Sequence, residues 1–359
     1  MTGDSTEAGD DHAPPGGSRA RALFGQVGGA STGQSAATTR LRVRSELTPR
    51  DHPLPVPNGW YGLVGSAQLG DRTVVSIRAV GRDLVAFRAD DGAARVLDAH
   101  CPHAGAHMGG GWIEGDRLAC PYHGWEYGGD GRCRHIPYHD GRVPERAAVR
   151  SYPVIEQDGF VWFWYHAGDA APGWDVDPVP EVSDPDWTDA VVYESELVAA
   201  LQEMGENNVD YAHFNYVHRA GKIPLLSSTF TVDGPRSRVV EVLGGGTTFT
   251  RDACGPGIAV LRVPDTMTMI AATTPIDRGN CRLRWHFHFP NAMQSMAYDL
   301  VETVIGDYGL AADRPIWEHK VWPERPVLVK ADAAIAEFRR WYAQFYEASP
   351  WAWGMGREA

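Results

Sequence analysis

Cysteine is scarce in this sequence, and its five copies lie too far apart to hold together a small disulfide-rich fold. The sequence also lacks an uninterrupted apolar run of the roughly 18 to 20 residues that a membrane-spanning helix requires. Its first 20 residues include several acidic side chains and no apolar segment of the kind that directs secretion. We therefore expect a protein without a membrane span, located in the cytoplasm.

Positive charge is also under-represented. The 33 Lys and Arg residues are outnumbered by 46 Asp and Glu residues, which gives a formal net charge of −13. A broad nucleic-acid surface needs clustered Lys and Arg, so no nucleic-acid partner is expected. The hydrophobic content of 43% is ordinary for a globular protein, and a length of 359 residues suggests about two domains.

Composition divides the chain into three parts. Residues 1–45 are rich in Gly, Ser, Ala, Thr and Asp without an apolar period, which predicts a disordered tail. Over 46–170, short β-type stretches such as "TVVSIRAV" and "FVWFWYH" alternate with clusters of Gly, Asp and Pro. This spacing is typical of a small all-β domain. A connector rich in Pro and Asp then opens a second domain, expected over 171–359.

The second domain mixes strand and helix patterns. "AVVYESELVAA" predicts a strand and "LQEMGENNVDYAHFNYV" a helix, and several strand candidates follow, among them "MTMIAATTPI" and "CRLRWHFHF". Two helical stretches, about 291–308 and 328–348, come last. The order indicates a mostly antiparallel sheet with helices, so the fold class expected is α+β.

The stretch "CPHAGAHMGGGWIEGDRLACPYHGWEY" contains two metal-binding arms, Cys101-x-His103 and Cys120-x-x-His123. Zinc accepts two Cys and two His, but structural zinc sites usually pair Cys with Cys and His with His. One thiolate and one imidazole per arm suit a two-iron cluster in which one iron takes both thiolates and the other both imidazoles. The pattern resembles that of Rieske [2Fe-2S] proteins. Neither loop has the additional cysteine of the respiratory type, so the oxygenase type is favoured.

A second candidate metal site lies in "GENNVDYAHFNYVH", residues 205–218. Asp210 and His213 are three residues apart and share a helical face, and His218 lies five residues further on. Two imidazoles and one carboxylate form the facial triad of non-haem Fe(II) sites, which leaves positions open for O₂. Taken alone, the same stretch is also compatible with a helix that carries incidental surface histidines.

Asp-x-x-His-x4-His downstream of a Rieske pattern resembles the Rieske non-haem iron oxygenases over most of the chain. The resemblance implies an all-β Rieske domain followed by a helix-grip catalytic domain. His213 and His218 would be iron ligands, with Asn207 near the iron. Asp210 would bridge His213 to His123 of an adjacent chain, which implies a head-to-tail ring, most often a homotrimer.

The third iron ligand is expected further along the chain. "ADRPIWEHKVWPERPVLVKADAAIAEFRRWYAQFY" (312–346) resembles the C-terminal segment of the 3-ketosteroid 9α-hydroxylase oxygenases and the cholesterol 7-desaturases. This resemblance implies Asp313 as the ligand, and Asp307 is the alternative. The Rieske loops are also similar to those of aminopyrrolnitrin oxygenase. The other carboxylates considered are Glu302, Glu318 and Glu324.

These resemblances imply a terminal oxygenase. It would use O₂, and a separate ferredoxin or ferredoxin reductase would deliver electrons from NAD(P)H, since no flavin or nicotinamide loop is visible. Hydroxylation of a largely apolar, polycyclic or natural-product substrate is expected, with desaturation or N-oxidation as alternatives; a Rieske electron carrier is an alternative of another class. The candidate substrate contacts are Phe214, Leu225, Leu226, Phe230, Met267, Met269, Phe287 and His288.

Overall fold

The structure is a computed structural model that describes residues 52–218, 225–307 and 309–346. All of these residues belong to one compact unit that spans 41–359. The tail expected over 1–45 lies outside the described residues. Among the described residues, no helix is both long and apolar enough to cross a membrane.

The N-terminal half is built from three small antiparallel sheets, with strand orders β1-β11-β10, β2-β3-β4-β9 and β5-β6-β7-β8. β11 reads FVWFWY, and its first five residues are buried, which is why its sequence is a continuous apolar run rather than an alternating one. The strands are β1 (Gly59–Gly65), β2 (Val74–Ala79), β3 (Arg82–Arg88), β4 (Ala94–Asp98), β5 (Trp112–Glu114), β6 (Arg117–Ala119), β7 (Glu126–Tyr127), β8 (Cys133–His135), β9 (Ser151–Tyr152), β10 (Val154–Gln157) and β11 (Phe160–Tyr165).

The C-terminal half contains a seven-stranded antiparallel sheet of order β12-β18-β17-β16-β15-β14-β13. This arrangement confirms the α+β class with a mostly antiparallel sheet. The strands are β12 (Val191–Leu197), β13 (Leu225–Asp233), β14 (Arg236–Leu243), β15 (Thr248–Cys254), β16 (Ile258–Val263), β17 (Met267–Pro275) and β18 (Cys281–His288). The helices are α1 (Leu201–Glu206), α2 (Tyr211–Tyr216), α3 (Ala297–Ile305), α4 (Leu310–His319) and α5 (Ala333–Tyr342).

The single helix predicted from "LQEMGENNVDYAHFNYV" is instead two short helices, α1 and α2. The chain leaves helical geometry at Asp210, which has φ −93° and ψ 89° and whose carboxylate accepts a hydrogen bond from the His213 backbone N–H at 3.3 Å. Aspartate is favoured at this N-cap position because a carboxylate oxygen accepts a hydrogen bond from a backbone N–H that the first helical turn leaves unpaired. The break lets the chain turn between α1 and the two histidines.

The two faces of the large sheet have different neighbours. Ile270 and Ala272 of β17 point to the face that packs against Phe160 and Trp162 of β11. His286 of β18 stacks on Phe160 on this same face, with ring centroids 3.9 Å apart. Alternate residues of the strands point to the opposite face, which α1 and α5 cover. A buried ion pair between Glu206 and Arg339 joins those two helices. The second face therefore encloses space between sheet and helices.

Candidate metal centres and the adjoining cavity

The two cysteine–histidine arms have the same backbone geometry. In each arm, the cysteine carbonyl accepts a hydrogen bond of 2.9 Å from the N–H of a glycine four residues later, Gly105 after Cys101 and Gly124 after Cys120. Both glycines have positive φ, 77° and 67°, a conformation that a residue with a Cβ adopts at a cost. Each cysteine N–H in turn donates to the carbonyl five residues on. Two matching loop tips thus present one thiol and one imidazole each.

The four predicted cluster ligands lie close together, and the two cysteines among them are buried. Cys101 and Cys120 are 2% and 1% exposed. Burial raises the pKa of the Cys120 thiol, and the neighbouring Cys101 raises it further. The rings of His103 and His123 lie 4.6 Å apart, and His103 is exposed. Two buried thiols facing two outward imidazoles form a donor set that fits a Rieske [2Fe-2S] cluster.

Aromatic side chains surround the two imidazoles. Trp125 stacks on His103, with centroids 4.5 Å apart and an interplanar angle of 10°. The ring of Tyr122 lies 3.8 Å from that of His123. Tyr138 accepts a hydrogen bond of 2.7 Å from the Trp125 indole N–H. The rings of His103 and His123 are therefore held in place by packed aromatic side chains, although Tyr122 and Tyr138 remain largely exposed.

The second group of predicted ligands is also assembled in the structure. One donor atom from each of His213, His218 and Asp313 lies within 4.8 Å of the others. The His218 Nε2 is 3.4 Å from Asp313 Oδ2, and the His213 Nε2 is 4.0 Å from Asp313 Oδ1. His213 belongs to α2, His218 lies just after the C-terminal end of α2, and Asp313 belongs to α4. Asp307, the alternative, is exposed and does not belong to this group.

The electrostatics of this group fit a divalent cation. Burial raises the pKa of Asp313 to about 7, and the nearby Asp210 adds to the increase. The side-chain amide of Asn207 donates a hydrogen bond of 3.3 Å to Asp313 Oδ1, which opposes this increase in pKa. Burial lowers the pKa of His213, which favours the neutral imidazole that binds metal. A buried carboxylate beside two imidazoles is stabilised by a cation such as Fe(II), whose preferred facial triad this set matches.

The contact between Asp210 and His213 differs from the one that the family resemblance implied. The backbone carbonyl of Asp210, rather than its carboxylate, is the hydrogen-bond partner of His213 Nδ1. The carboxylate Oδ2 lies 3.8 Å from Nδ1, and 28% of the Asp210 side chain is exposed. The carbonyl orients the imidazole so that Nε2 points towards Asp313, because the two ring nitrogens are on opposite sides of the ring.

A cavity of about 150 Å³ lies between the large sheet, α1 and α5. It is largely apolar, with a few polar side chains, and its volume is below the roughly 300 to 1,000 Å³ of most sites for drug-sized molecules. Its lining includes Leu201, Met204, Gly205 and Asn208 beside the sheet residues Arg251, Ala253, Ala259, Leu261, Met269, Ala271, Thr273 and Trp285, and it is completed by Phe338, Trp341 and Tyr342. The guanidinium of Arg251 also lies over the Phe214 ring, 5.5 Å from its centroid. Phe214 contacts both His213 and His218, so Arg251 and Phe214 connect the cavity lining to the triad, none of whose three residues lines the cavity itself.

The candidate substrate residues have mixed positions. Met269 lines the cavity, and Phe287 is paired with Met269 in register, on the same face of the sheet. Met267, two residues before Met269, shares that face and is buried. Leu225 and Leu226 begin the edge strand β13, away from the cavity lining.

Phe230 and His288 are not brought to the cavity. Phe230 belongs to the hydrophobic cluster around Phe338 and Trp341. His288 points to the opposite face of the sheet, where its Nδ1 lies 3.2 Å from the Thr188 carbonyl.

Sequence reasoning missed most of the cavity lining, including the polar residues Asn208, Arg251, Thr273 and Trp285. Asn208 directly follows Asn207, and Trp285 lies beside the two histidines of "WHFHF". The missing information was the direction in which each residue of a strand points. Counting in steps of two from Met269 would have included the neighbouring cavity residues of β17.

Comparisons with known proteins agree with this geometry. A model of the Rieske [2Fe-2S] domain matches residues 59–153, and a model of the 3-Ketosteroid 9alpha-hydroxylase C-terminal domain matches residues 163–346. The chain is 33% identical to a cholesterol 7-desaturase of Drosophila melanogaster, with 83% of this chain and 76% of the relative covered. It is 27% identical to the oxygenase component of a 3-ketosteroid-9-alpha-monooxygenase of Rhodococcus rhodochrous, with 87% and 86% covered.

Solved structures with a similar fold share less sequence. Dicamba monooxygenase bound to dicamba superposes with a TM-score of 0.67 at 20% identity, covering 80% of this chain and 97% of that one. The NdmA QL mutant of Pseudomonas putida CBB5 with theobromine has a TM-score of 0.65 at 20% identity, with 79% and 88% covered. At this level of identity, the two structures support the fold alone.

Proposed function

Since the chain belongs to the Rieske non-haem iron oxygenases, and is therefore an oxidoreductase, we propose that it hydroxylates a flat, largely apolar, steroid-like substrate. A separate ferredoxin or ferredoxin reductase would supply the electrons, drawn from NAD(P)H. Residues 46–170 would receive them, and 171–359 would carry out the oxidation. The observation that supports this proposal most directly is the convergence of His213, His218 and Asp313 beside an apolar cavity.

Each residue of the two centres has a proposed role. The cluster, held by Cys101, His103, Cys120 and His123, would supply single electrons, and Fe(II) would supply O₂ activation when bound. Asn207 donates to Asp313 and so fixes the orientation of that carboxylate.

The exposed part of the Asp210 carboxylate supports a role between chains. The Asp210 backbone carbonyl orients His213 and the carboxylate Oδ1 caps α2, so Oδ2 is the oxygen that would accept a hydrogen bond from His123 of an adjacent chain. His123 is itself half-buried at a loop tip, where a neighbouring surface can reach its ring. We propose a homotrimer in which this contact links the two metal centres.

Desaturation is the second candidate, because the Drosophila relative at 33% identity is a cholesterol 7-desaturase. Both reactions consume one O₂, two electrons and two protons. Hydroxylation places one oxygen atom in the product and releases one water. Desaturation removes two hydrogens from adjacent carbons and releases two waters. The products thus differ in mass and in isotope content.

The experiment begins with metal analysis of protein purified without oxygen. The proposal expects three irons and two acid-labile sulfides per chain; two irons would leave only an electron carrier, and zinc without iron would exclude both. The protein is then supplied with NADH, ferredoxin, its reductase and ¹⁸O₂, with a 3-ketosteroid or cholesterol as substrate. An ¹⁸O-labelled alcohol supports hydroxylation, an unlabelled product two mass units lighter supports desaturation, and no product from either steroid contradicts the substrate class.

The Asp210→Ala variant tests the link between chains. Both metals should remain bound while substrate-coupled turnover is nearly abolished, because the ligands are intact and the proposed bridge is lost. Asp307→Ala is the matched control, since Asp307 is exposed and lies outside the triad. Turnover of Asp210→Ala equal to that of the control would disprove the bridge.

A further inference from the structure

The rings of His213, Phe214 and His218 pack against one another. The centroid of the Phe214 ring lies 4.3 Å from that of His213 and 5.0 Å from that of His218, and the two imidazoles are 4.9 Å apart. Phe214 is the member of this group that has no metal-binding atom. Because packed side chains occupy single rotamers, each ring limits how far the other two can rotate. Phe214 therefore restrains both of the histidines proposed as iron ligands.

Helix α2, to which His213 and Phe214 belong, is only six residues long. An isolated helix shorter than roughly 12 residues is marginal in water, so the position of α2 depends on contacts with the rest of the protein. One such contact comes from Arg251 of β15, whose guanidinium carbon lies over the Phe214 ring, 5.5 Å from its centroid. A cation over the face of an aromatic ring is attracted to it. Arg251 thus joins α2 to the large sheet.

Arg251 is itself held by Glu241 of β14. The guanidinium Nη1 donates a hydrogen bond of 2.6 Å to Glu241 Oε2, and the two side chains are 13% and 4% exposed. A buried ion pair adds little to stability beyond what apolar residues of similar volume would give, because both charges lose their hydration. Stability alone therefore gives little reason for a buried pair at this position, whereas a fixed guanidinium restrains the Phe214 ring beneath it.

We propose that Arg251 is a positioning residue of the mononuclear metal centre, which holds Phe214 against His213 and His218 and thereby fixes the angle between the two imidazoles. The inference rests on the proposed function, because it takes these histidines as iron ligands. It adds two residues that bind no metal themselves and gives Phe214, a candidate substrate contact in the sequence, a role in supporting the ligands. Replacement of residues that orient metal ligands typically lowers metal affinity by about 10- to 100-fold.

The test measures metal binding rather than turnover. A chelator removes the mononuclear iron from the holoprotein, and Fe(II) is then titrated back without oxygen against a competing chelator of known affinity. The double variant Arg251→Met with Glu241→Gln, which leaves no buried charge unpaired, should bind Fe(II) about tenfold more weakly than the unchanged protein. Phe214→Ala should show a similar loss. Arg238→Met is the matched control, since Arg238 is 62% exposed and pairs with Asp252 on the opposite face of the sheet; its Fe(II) affinity should stay within about twofold.

The two losses of affinity should not add. If Arg251 acts through Phe214, the triple variant with Phe214→Ala should bind Fe(II) no more weakly than Phe214→Ala alone, because the contact between the two side chains is already absent. Co(II) in place of Fe(II) gives a second readout. The oxidised cluster has no net unpaired spin, so the EPR spectrum of bound Co(II) describes the mononuclear site alone. The double variant and Phe214→Ala should broaden this spectrum, since the imidazoles then take up a wider range of angles.

The possible outcomes separate the inference from the proposed function. Fe(II) affinity of the double variant equal to that of the Arg238→Met control would overturn the role of Arg251, and so would additive losses in the triple variant, while the triad itself would stand. His213→Ala should abolish binding of the mononuclear iron, and undiminished binding in that variant would overturn the triad and the inference together. The visible spectrum of the cluster and a single cooperative melting transition verify that each variant is folded.

Discussion

The ion pair between Glu206 and Arg339 is expected to be a major stabilising contact of the catalytic half. Both Glu206 oxygens accept hydrogen bonds from the guanidinium, at 2.8 and 2.9 Å, and each side chain is only 7% exposed. The pair joins the last residue of α1 to α5. Since Asn207 follows Glu206 directly, the pair also fixes the point from which the chain turns towards the triad.

Glu206→Gln removes one charge and leaves the other buried. Breaking a buried pair in this way costs about 3 to 5 kcal/mol, a large part of the roughly 5 to 15 kcal/mol that stabilises a typical protein. At about 2 °C per kcal/mol for a chain of this size, we expect the melting temperature to fall by about 6 to 10 °C. The mononuclear iron content should fall as well, while the visible absorption of the Rieske cluster persists.

The exposed pair between Arg142 and Glu145 provides the matched control. Its atoms approach to 2.6 Å, closer than in the buried pair, but the side chains are 84% and 79% exposed. Solvent screening makes such a pair nearly neutral, so Glu145→Gln should shift the melting temperature by less than about 2 °C. The double variant Glu206→Met with Arg339→Met should be less destabilised than Glu206→Gln, because no buried charge remains. Equal melting temperatures for Glu206→Gln and Glu145→Gln would refute the reasoning.

Two further predictions concern buried polar groups. The Tyr127 hydroxyl lies 3.0 Å from Cys101 Sγ, and a hydrogen bond to a ligand sulfur favours the reduced cluster. Tyr127→Phe should therefore lower the midpoint potential of the cluster by about 40 mV in a spectroscopic redox titration. An unchanged potential would contradict this reasoning. Burial, with a smaller contribution from His288, lowers the pKa of His286 from 6.5 to about 4, so the native state takes up fewer protons than the unfolded state between these values. Its contribution is complete above pH 6.5, and roughly 3 kcal/mol is lost as the pH falls to 4. His286→Phe should therefore show a smaller decrease in melting temperature between pH 7 and 5 than the unchanged protein, and parallel decreases would exclude this role.

The sequence alone was informative wherever chemistry depends on local spacing. Cys101 and His103 lie two residues apart on one loop, so their convergence follows from the turn that glycine and proline impose. The motif around His213 was equally local. The choice of Asp313 over Asp307 depended instead on a family resemblance, because no spacing rule relates α4 to α2 across nearly 100 residues.

Contacts that depend on strand register were harder to predict. His288 was a plausible substrate contact by residue type, but side chains on successive positions of a strand point to opposite faces, and His288 is on the face away from the cavity. Phe230 is on the cavity face, but at the sheet edge, where it packs against Phe338 and Trp341. Without the pairing of β15 to β18, the sequence does not show which face meets α1 and α5. The break between α1 and α2 was missed because the apolar period of the sequence continues across Asp210, whereas the helical geometry of the backbone is interrupted there.

The alternation of side chains in the large sheet separates two kinds of evolutionary change. Substitutions at Ala253, Ala259 or Ala271 alter the shape of the cavity, whereas Ile270 and Ala272 pack against Phe160 and Trp162 of β11. Single mutations on the cavity face thus change the lining of the cavity and leave the contact between the two halves of the chain intact. A saturation library confined to these three alanines would vary the shape of the cavity without altering the packing against β11.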